Sequence, residues 1–317
     1  MAEKKILITG TNGFVGKNLK EYFLSGARDV AVLSPLRGEL NLLDADAVRA
    51  YITSSEPDLV IHCATIGGAR KTGYDAGAAD VVAGNLRMFM NLARCLGPGM
   101  RMISMGSGAE YDKRYGVPKI TEESFDAHVP ADDYGYAKYL ISKYIEKAGN
   151  ITCLRIFGLY GKYEDYTFKF ISNAIVKNLL GLPIVINQNV VFDYLWIGDF
   201  CELVGRLSEK APTYAHYNIT PADPVDLVSL AEMVNSAGKN KSEVKVLNPG
   251  MNTEYTGSSE RLVKELGGFN FTSYEEGIRQ LYLYYASKLN ELDLETVRKD
   301  PYLKFCKKAD SGTAGKP

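Results

Sequence analysis

The sequence predicts an α/β fold in which a doubly wound parallel sheet is followed by a smaller C-terminal α/β lobe. Short apolar segments alternate with helical ones through the first half of the 317-residue chain, as in parallel strands joined by crossover helices. The first apolar segment ends in glycine, which suits a buried strand that leads into a tight turn. The alternation loosens after about residue 160, and the chain is longer than one simple core usually requires.

Each element of the first half has its own local signal. Lys4 to Thr9 is a short apolar run, Pro57 opens another, and Gly97-Pro98-Gly99 ends a long helical segment. The predicted strands are 4–9, 29–33, 57–63, 101–105 and 151–157, and the predicted helices are 15–24, 44–54, 79–96 and 134–148.

The second half is less regular. It predicts helices over 168–180, 226–235 and 274–289, with short strands over 184–186 and 217–219. We therefore expect one domain over residues 1–165, to which some later segments return, and a second lobe over 166–309. Residues 310–317 are small and polar, which predicts a frayed tail.

Composition and charge exclude several classes of protein. The net charge is −1 and no strong basic block occurs, so nucleic acid is a poor candidate partner. The sequence has no run of eighteen apolar residues, so we expect no membrane span. No apolar signal segment precedes the first strand, so we expect a cytoplasmic protein. The five cysteines are scattered and the three histidines form no i,i+4 pair, which predicts reduced thiols and no metal site.

The glycine-rich segment after the first strand predicts a Rossmann-type nucleotide site. It reads Thr-Gly-Thr-Asn-Gly-Phe-Val-Gly over residues 9–16. Gly10 permits the turn off the strand, Gly13 lets a diphosphate approach the backbone, and Gly16 lets helix and strand pack closely. The helix that follows offers free N–H groups to the phosphates. Because a predicted strand and helix flank the motif, we expect it to bind a dinucleotide.

The residues after the second strand bear on which dinucleotide binds. An acidic residue there usually holds the ribose 2′-hydroxyl, but the stretch reads Leu33-Ser34-Pro35-Leu36-Arg37-Gly38, with no carboxylate before Glu39. Ser34 and Arg37 are instead suited to a 2′-phosphate. The sequence therefore favours NADP(H) over NAD(H).

Tyr134 and Lys138 form a candidate acid–base pair. They are four residues apart in a predicted helix and so share one face. A free tyrosine has a pKa of about 10, and a neighbouring ammonium stabilises its ionised form. With Ser107 as a second hydroxyl donor, the group is suited to moving a proton while a hydride is transferred at a ketone or carbinol.

Together these motifs resemble the extended short-chain dehydrogenase/reductase family, in its nucleotide-sugar epimerase and reductase branch. The resemblance covers roughly residues 4–290. The motifs that carry it are Thr9–Gly16, Leu40–Asp44, Pro57–Ala64, Ser107 with Tyr111, Tyr134–Lys138 and Phe192–Asp199.

The resemblance implies a role for each matching residue. Tyr134 would be the general acid or base, with Lys138 lowering its pKa and holding the nicotinamide ribose. Ser107 would hydrogen-bond the substrate oxygen, and Asn85 would position that region. The resemblance also implies a homodimer paired through the helices near 79–96 and 134–148. The residues expected at the cofactor are Gly10, Asn12, Gly13, Phe14, Val15, Gly16, Ser34, Arg37, Asn41, Leu42, Cys63, Ala64, Thr65, Lys138 and Phe157.

Departures from the family pattern narrow the reaction. Sugar 4,6-dehydratases carry an Asp-Glu pair where this chain has Gly108 and Ala109, and fucose-synthase-like enzymes place a cysteine at the Ala109 position. Glu110 lies one position off and is expected to face elsewhere. Reduction of a 4-keto nucleotide sugar and 4-epimerisation with a retained NAD both remain, and reduction is favoured. A dinucleotide-binding protein without turnover is a third alternative.

A second set of departures concerns the substrate diphosphate. The family usually places arginines where this chain has Phe192 and Met251, and an asparagine where it has Gly158. Guanidinium groups suit a diphosphate because they donate two parallel hydrogen bonds. Either the substrate lacks a conventional diphosphate or other cations replace these arginines, and the candidates are Lys162, Lys169, Lys177 and Arg261.

Overall fold

The computed structural model describes residues 3–26, 30–68 and 80–306, apart from the side chain of Phe305. The predicted tail at 310–317 lies outside these residues. The strands are β1 Lys4–Thr9, β2 Val30–Leu33, β3 Leu59–His62, β4 Arg101–Ser107, β5 Val117–Ile120, β6 Ile151–Ile156, β7 Leu159–Tyr160, β8 Ile184–Asn189, β9 Val191–Phe192, β10 Leu195–Trp196, β11 His216–Ile219, β12 Val225–Asp226, β13 Val244–Met251 and β14 Tyr255–Gly257. The α-helices are α1 Phe14–Ser25, α2 Ala45–Ser55, α3 Val81–Ala93, α4 Asp133–Ile145, α5 Phe170–Leu179, α6 Ile197–Glu209, α7 Leu227–Ala237, α8 Glu260–Glu265, α9 Tyr274–Ser287 and α10 Leu294–Lys299.

A six-stranded parallel sheet organises the described residues, in the order β2-β1-β3-β4-β6-β11. Its two faces are covered by different helices, because successive side chains of each strand point to opposite sides. In β1, Ile6 and Ile8 pack in a core with residues of α1 and α6, whereas Leu7 packs in a core with residues of α2, α3 and α4. The predicted doubly wound parallel sheet is confirmed.

Helix boundaries follow capping side chains. Asp44, predicted as the start of α2, is its N-cap and accepts hydrogen bonds from the backbone N–H groups of residues 46 and 47. Asp132 caps α4 in the same way through the N–H of Gly135 at 2.8 Å. The prediction for α3 was three residues too long at its C-terminal end, because the helix ends at Ala93.

The second core lies among α5, α7, α9 and β8. It is built around buried residues of these elements, such as Ile175, Leu230 and Ile278. The chain also returns to the large sheet, because β11 pairs with β6 through His216↔Cys153 to Ile219↔Ile156. Within the described part of the chain, no helix has the length and apolar character needed to cross a membrane.

Candidate functional site

The glycine-rich turn joins β1 to α1 and approaches the end of β3. Gly10 has a φ of +72°, and a Cβ there would lie 2.7 Å from the backbone nitrogen of Ala64. A Cβ on Gly16 would lie 2.4 Å from Gly10 O, so only glycine permits this helix to pack against the turn. At Gly13 the only heavy atom near such a Cβ is Gly10 O at 3.4 Å. Gly13 is therefore not required for protein packing, and it faces open space.

That space is the first of three neighbouring cavities, which we name the glycine-loop cavity. It has a volume of about 370 Å³ and lies between the turn, the loop after β2 and the end of β3. Position at the carboxyl ends of parallel strands is typical of ligand sites in doubly wound sheets. Its lining includes Gly10, Asn12, Gly13, Arg37, Asn41, Leu42, Cys63, Ala64 and Thr65.

The second cavity, the tyrosine cavity, brings together the three residues of the predicted acid–base group. Ser107 at the end of β4 and Tyr134 and Lys138 on α4 all line this space of about 400 Å³. It shares Gly10, Gly13, Cys63 and Thr65 with the glycine-loop cavity, so the two form one cleft. Phe14, Val15, Gly16 and Phe157 also line it.

Lys138 is held in place behind Tyr134. Its Nζ donates a 2.7 Å hydrogen bond to Met105 O and lies 5.7 Å from the centroid of the Tyr134 ring. The side chain is 5% exposed. Burial lowers the pKa of Lys138, and this effect is opposed by the nearby Glu110 carboxylate. A buried ammonium beside a phenol is suited to stabilising the phenolate.

The backbone after β3 covers the ring of Tyr134. Gly68 has a φ of +76°, and a Cβ there would lie 2.5 Å from Tyr134 Cε2. Asn85 on α3 holds the same loop, since its side chain accepts from Thr65 Oγ1 at 3.1 Å and Ile66 N at 3.0 Å and donates to Ile66 O at 2.8 Å. The loop therefore fixes one wall of the tyrosine cavity.

Ser107 begins a short 3₁₀ turn, Gly108–Tyr111. Its Oγ accepts a hydrogen bond from Ala109 N at 3.1 Å, and its own N–H donates to Glu110 Oε1 at 2.8 Å. Glu110 is fully buried and is not among the residues lining the three cavities. It faces away as predicted, but because the chain turns here, not because the segment is extended.

The third cavity, the outer cavity, adjoins the tyrosine cavity through Lys113, Phe157, Gly158, Leu159, Glu164, Lys169 and Tyr255. Its volume is about 370 Å³, and Phe192 contributes to an aromatic wall. Met251, by contrast, is 52% exposed and does not line it.

Only one of the four predicted cations for a diphosphate lies in the cleft. Lys177 is buried in an ion pair with Asp300 at 2.6 Å, Lys162 pairs with Glu21 at 2.5 Å, and Arg261 pairs with Glu123. Lys169 lines the tyrosine and outer cavities, and its side chain makes no hydrogen bond or ion pair with the residues that the structure describes. These three ion pairs explain why the other three cations are not available to bind a diphosphate.

The remaining predictions concern the residues expected at the cofactor. Every residue expected at the cofactor lines one of the first two cavities except Ser34. The sequence reasoning missed Gly68, Lys113, Glu164 and Tyr255, which line the tyrosine cavity. Glu164 had one usable signal, because it follows strands whose carboxyl ends form the cleft. Lys113 and Tyr255 had none, since distant segments bring them together.

The first two cavities fit a dinucleotide. Gly13 leaves open space at the N-terminus of α1, where backbone N–H groups are free to bind phosphate oxygens. Arg37 supplies a positive charge on one side, and Lys138 supplies another beside Tyr134. The residues present are therefore compatible with both ends of such a cofactor.

Comparison with known proteins places this geometry in context. Residues 6–220 match the model of the NAD-dependent epimerase/dehydratase family. The chain is 25% identical over 190 residues to a GDP-L-colitose synthase of Yersinia pseudotuberculosis, a match that spans 56% of this chain and 60% of that relative. It is 22% identical over 302 residues to a GDP-6-deoxy-D-talose 4-dehydrogenase of Aggregatibacter actinomycetemcomitans, spanning 92% of this chain and all of the relative.

A solved structure shows the same fold. A GDP-mannoheptose C4 reductase of Campylobacter jejuni with NADP bound superimposes with a TM-score of 0.76 at 19% identity, covering 90% of this chain and 99% of that one.

Proposed function

This chain belongs to the NAD-dependent epimerase/dehydratase family, and from that premise we propose that it reduces the 4-keto group of a nucleotide sugar with NADPH. The observation that carries the proposal is that Ser107, Tyr134 and Lys138 line one cavity, which continues into the glycine-loop cavity. Relatives named as a C4 reductase and a 4-dehydrogenase support the choice of carbon.

The proposed roles follow from the chemistry of a carbonyl reduction. When bound, the nicotinamide supplies the hydride. Tyr134 donates its phenolic proton to the carbonyl oxygen, where negative charge develops, and Ser107 Oγ–H stabilises the same oxygen. Lys138 stabilises the phenolate that remains. Asn85 acts through the loop after β3 and is a positioning residue.

NADP(H) is the cofactor that we propose. Arg37 lines the glycine-loop cavity and is suited to a 2′-phosphate. The first carboxylate after β2 is engaged elsewhere, because Glu39 Oε2 accepts a 2.7 Å hydrogen bond from Leu36 N within the loop. Ser34 does not line this cavity, so Arg37 is the residue that we propose for the 2′-phosphate.

Two lysines are proposed to bind the substrate diphosphate in place of the family arginines. Lys113 and Lys169 both line the tyrosine and outer cavities. Their ammonium groups supply positive charge without the paired geometry of guanidinium. The outer cavity would then hold the nucleotide against Phe192 and Tyr194.

Epimerisation at C4 with a retained NAD is the alternative, and the family description includes epimerases. It uses the same tyrosine and the same hydride, so the fate of the cofactor distinguishes the two reactions. A reductase releases oxidised cofactor and consumes NADPH. An epimerase retains NAD through purification and needs none added.

Three further expectations remain proposals. Residues 1–165 would mainly bind the dinucleotide, and 166–309 would mainly bind the substrate. A homodimer would form through α3 and α4, where Tyr136 and Tyr144 are 37% and 38% exposed. Sedimentation velocity tests the dimer directly. The expected cytoplasmic location stays a prediction.

The test of the proposed reaction is NADPH oxidation with GDP-, UDP- and dTDP-linked 4-keto-6-deoxyhexoses. At least one should be reduced, and Tyr134→Phe should lose activity by about a thousandfold or more while still binding NADPH. Tyr136→Phe, on the same helix but outside the three cavities, is the matched control and should keep the activity of the wild type. Full activity of Tyr134→Phe would exclude this tyrosine as the acid, and NAD that copurifies and supports turnover alone would favour epimerisation.

A further inference from the structure

Glu164 is a buried carboxyl group that lines both the tyrosine cavity and the outer cavity. Its side chain is 5% exposed. One oxygen, Oε2, accepts a 2.5 Å hydrogen bond from Ser172 Oγ. The other oxygen, Oε1, has no hydrogen-bond partner among the residues that the structure describes. Oε1 is not fully buried, so it is open to the cavities that Glu164 lines and can meet a polar group of a ligand.

The turn that carries Glu164 is held from two sides. Tyr163, the preceding residue, has a φ of +72°, and its hydroxyl donates a 2.7 Å hydrogen bond to Glu21 Oε1 on α1. Tyr285 on α9 donates from its hydroxyl to Glu164 O at 3.2 Å. Left-handed backbone at a non-glycine residue is costly and is concentrated at functional sites. The carboxyl group is therefore fixed in position before any ligand binds.

The charge state of Glu164 suits a hydroxyl group better than a phosphate. Burial raises the pKa of the Glu164 carboxyl to about 7, while the nearby Lys169 acts in the opposite direction. Near neutral pH the group is therefore available both as a donor and as an acceptor. A sugar hydroxyl needs both, whereas a phosphate would be repelled by the ionised form.

The position of Glu164 in the cleft indicates which part of the ligand its carboxyl group contacts. Glu164 lines the cavity that contains Ser107 and Tyr134, where the reacting carbonyl would lie, and it also lines the start of the outer cavity. The adenine end of the cofactor would lie in the glycine-loop cavity, which Glu164 does not line.

We propose that Glu164 hydrogen-bonds a hydroxyl group of the sugar next to the reacting carbon and so selects the substrate. The proposal rests on the proposed function in assigning a nucleotide sugar to this cleft. A site built around a hydrogen bond to a substrate hydroxyl discriminates strongly, because a ligand that lacks the hydroxyl leaves a buried polar group unpaired.

The test measures binding without turnover. NADP⁺ is added to the Tyr134→Phe variant, and calorimetry gives the affinity for GDP-mannose, UDP-glucose and dTDP-glucose and for the corresponding nucleoside diphosphates. In this background Glu164→Met should weaken the best-bound nucleotide sugar about tenfold to a hundredfold. The affinity for the nucleoside diphosphate should stay unchanged, and Glu164→Gln should recover most of the loss.

The control is Asp165→Met, at the next residue of the same turn, which lines none of the three cavities. It should leave both affinities as they are. An unchanged ratio of the nucleotide-sugar affinity to the nucleoside-diphosphate affinity in Glu164→Met would overturn the proposal. An equal weakening of both affinities is one such result. If Glu164→Met does not fold, Glu164→Asp withdraws the carboxyl by one methylene, and an unchanged ratio there has the same meaning.

Two outcomes with the wild-type protein distinguish failure of the proposed function from failure of the proposed role of Glu164. Wild-type protein that binds these probes, yet reduces no keto sugar, would refute the reaction and leave the role of Glu164 standing. Wild-type protein with NADP⁺ that binds none of the three nucleotide sugars would refute both.

Discussion

Arg155 Nε donates a 2.7 Å hydrogen bond to Glu110 Oε2, and both side chains are fully buried. Glu110 also accepts hydrogen bonds from Ser107 N at 2.8 Å and from Ser142 Oγ at 2.6 Å. One carboxylate thus links the end of β4 to β6 and to α4, the helix that carries Tyr134 and Lys138. The ion pair lies outside the cleft, but it supports the backbone of Ser107.

Replacing Glu110 should therefore lower the stability of the protein. Glu110→Gln keeps the size of the side chain but leaves the Arg155 charge uncompensated in the interior. We expect a loss of about 3 kcal/mol in the free energy of unfolding, measured by urea denaturation, since breaking a buried pair is costly. Asp46→Asn breaks the exposed pair with Arg49 and should change stability little. A loss no larger than that of the control would contradict the supporting role.

Arg37 should give the protein its preference for NADPH over NADH. Removing a charge-assisted hydrogen bond to a 2′-phosphate should raise the dissociation constant for NADPH about tenfold to a hundredfold in Arg37→Ala. NADH lacks that phosphate, so its affinity should change less than about twofold. Intrinsic fluorescence titration measures both, and Arg49→Ala on α2 is the control, since Arg49 lines none of the cavities. Equal weakening of NADPH and NADH would contradict recognition of the phosphate by Arg37.

Elements with their own local signals could be predicted from the sequence, and those that form only because distant segments pair could not. The apolar run of β1 and the capped helix α4 were found because their signals are local. The two-residue strands β7 and β10 form only because Leu159–Tyr160 pairs with Leu195–Trp196, a contact between distant segments. Helix α6 was not predicted, although its first residues lie in the Phe192–Asp199 motif.

The same division holds for the site. Ser107, Tyr134 and Lys138 follow recognisable motifs, and the structure brings them to one cavity. Lys113 and Tyr255 reach that cavity from segments with no sequence pattern, so tertiary structure was needed to find them. Lys177 and Arg261 could not be excluded from the sequence, because only the fold shows the carboxylates that neutralise them.

Asp193 should make stability depend on pH. It is 1% exposed, and burial raises the pKa of its carboxyl to about 7, against the opposing hydrogen bond from Gly257 N. Between pH 4 and 7 the folded state keeps a proton that the unfolded state has lost, so this contribution to stability is lost as the pH rises through that window. Asp193→Asn has no such titration. Its stability relative to wild type should therefore rise by on the order of 3 kcal/mol from pH 4.5 to pH 8.

Urea denaturation of both proteins at several pH values measures this difference. The buried histidines His62 and His216, whose pKa values burial lowers to about 3, are present in both proteins and drop out of the comparison. A stability difference that stays constant with pH would show that the carboxyl does not titrate in this range.

Gly13 and Gly16 should separate ligand binding from protein packing. In Gly13→Ala the new methyl group has only Gly10 O nearby, at 3.4 Å, and the backbone φ of −87° is open to alanine. Stability should therefore hold or rise by about 0.5 kcal/mol, while the methyl group occupies the space for the diphosphate and weakens NADPH about tenfold or more. In Gly16→Ala the methyl group would lie 2.4 Å from Gly10 O, so stability should fall by about 2 kcal/mol. Thermal denaturation and NADPH titration of the two variants measure both effects. Unchanged NADPH affinity in Gly13→Ala would mean that the phosphates do not approach this turn.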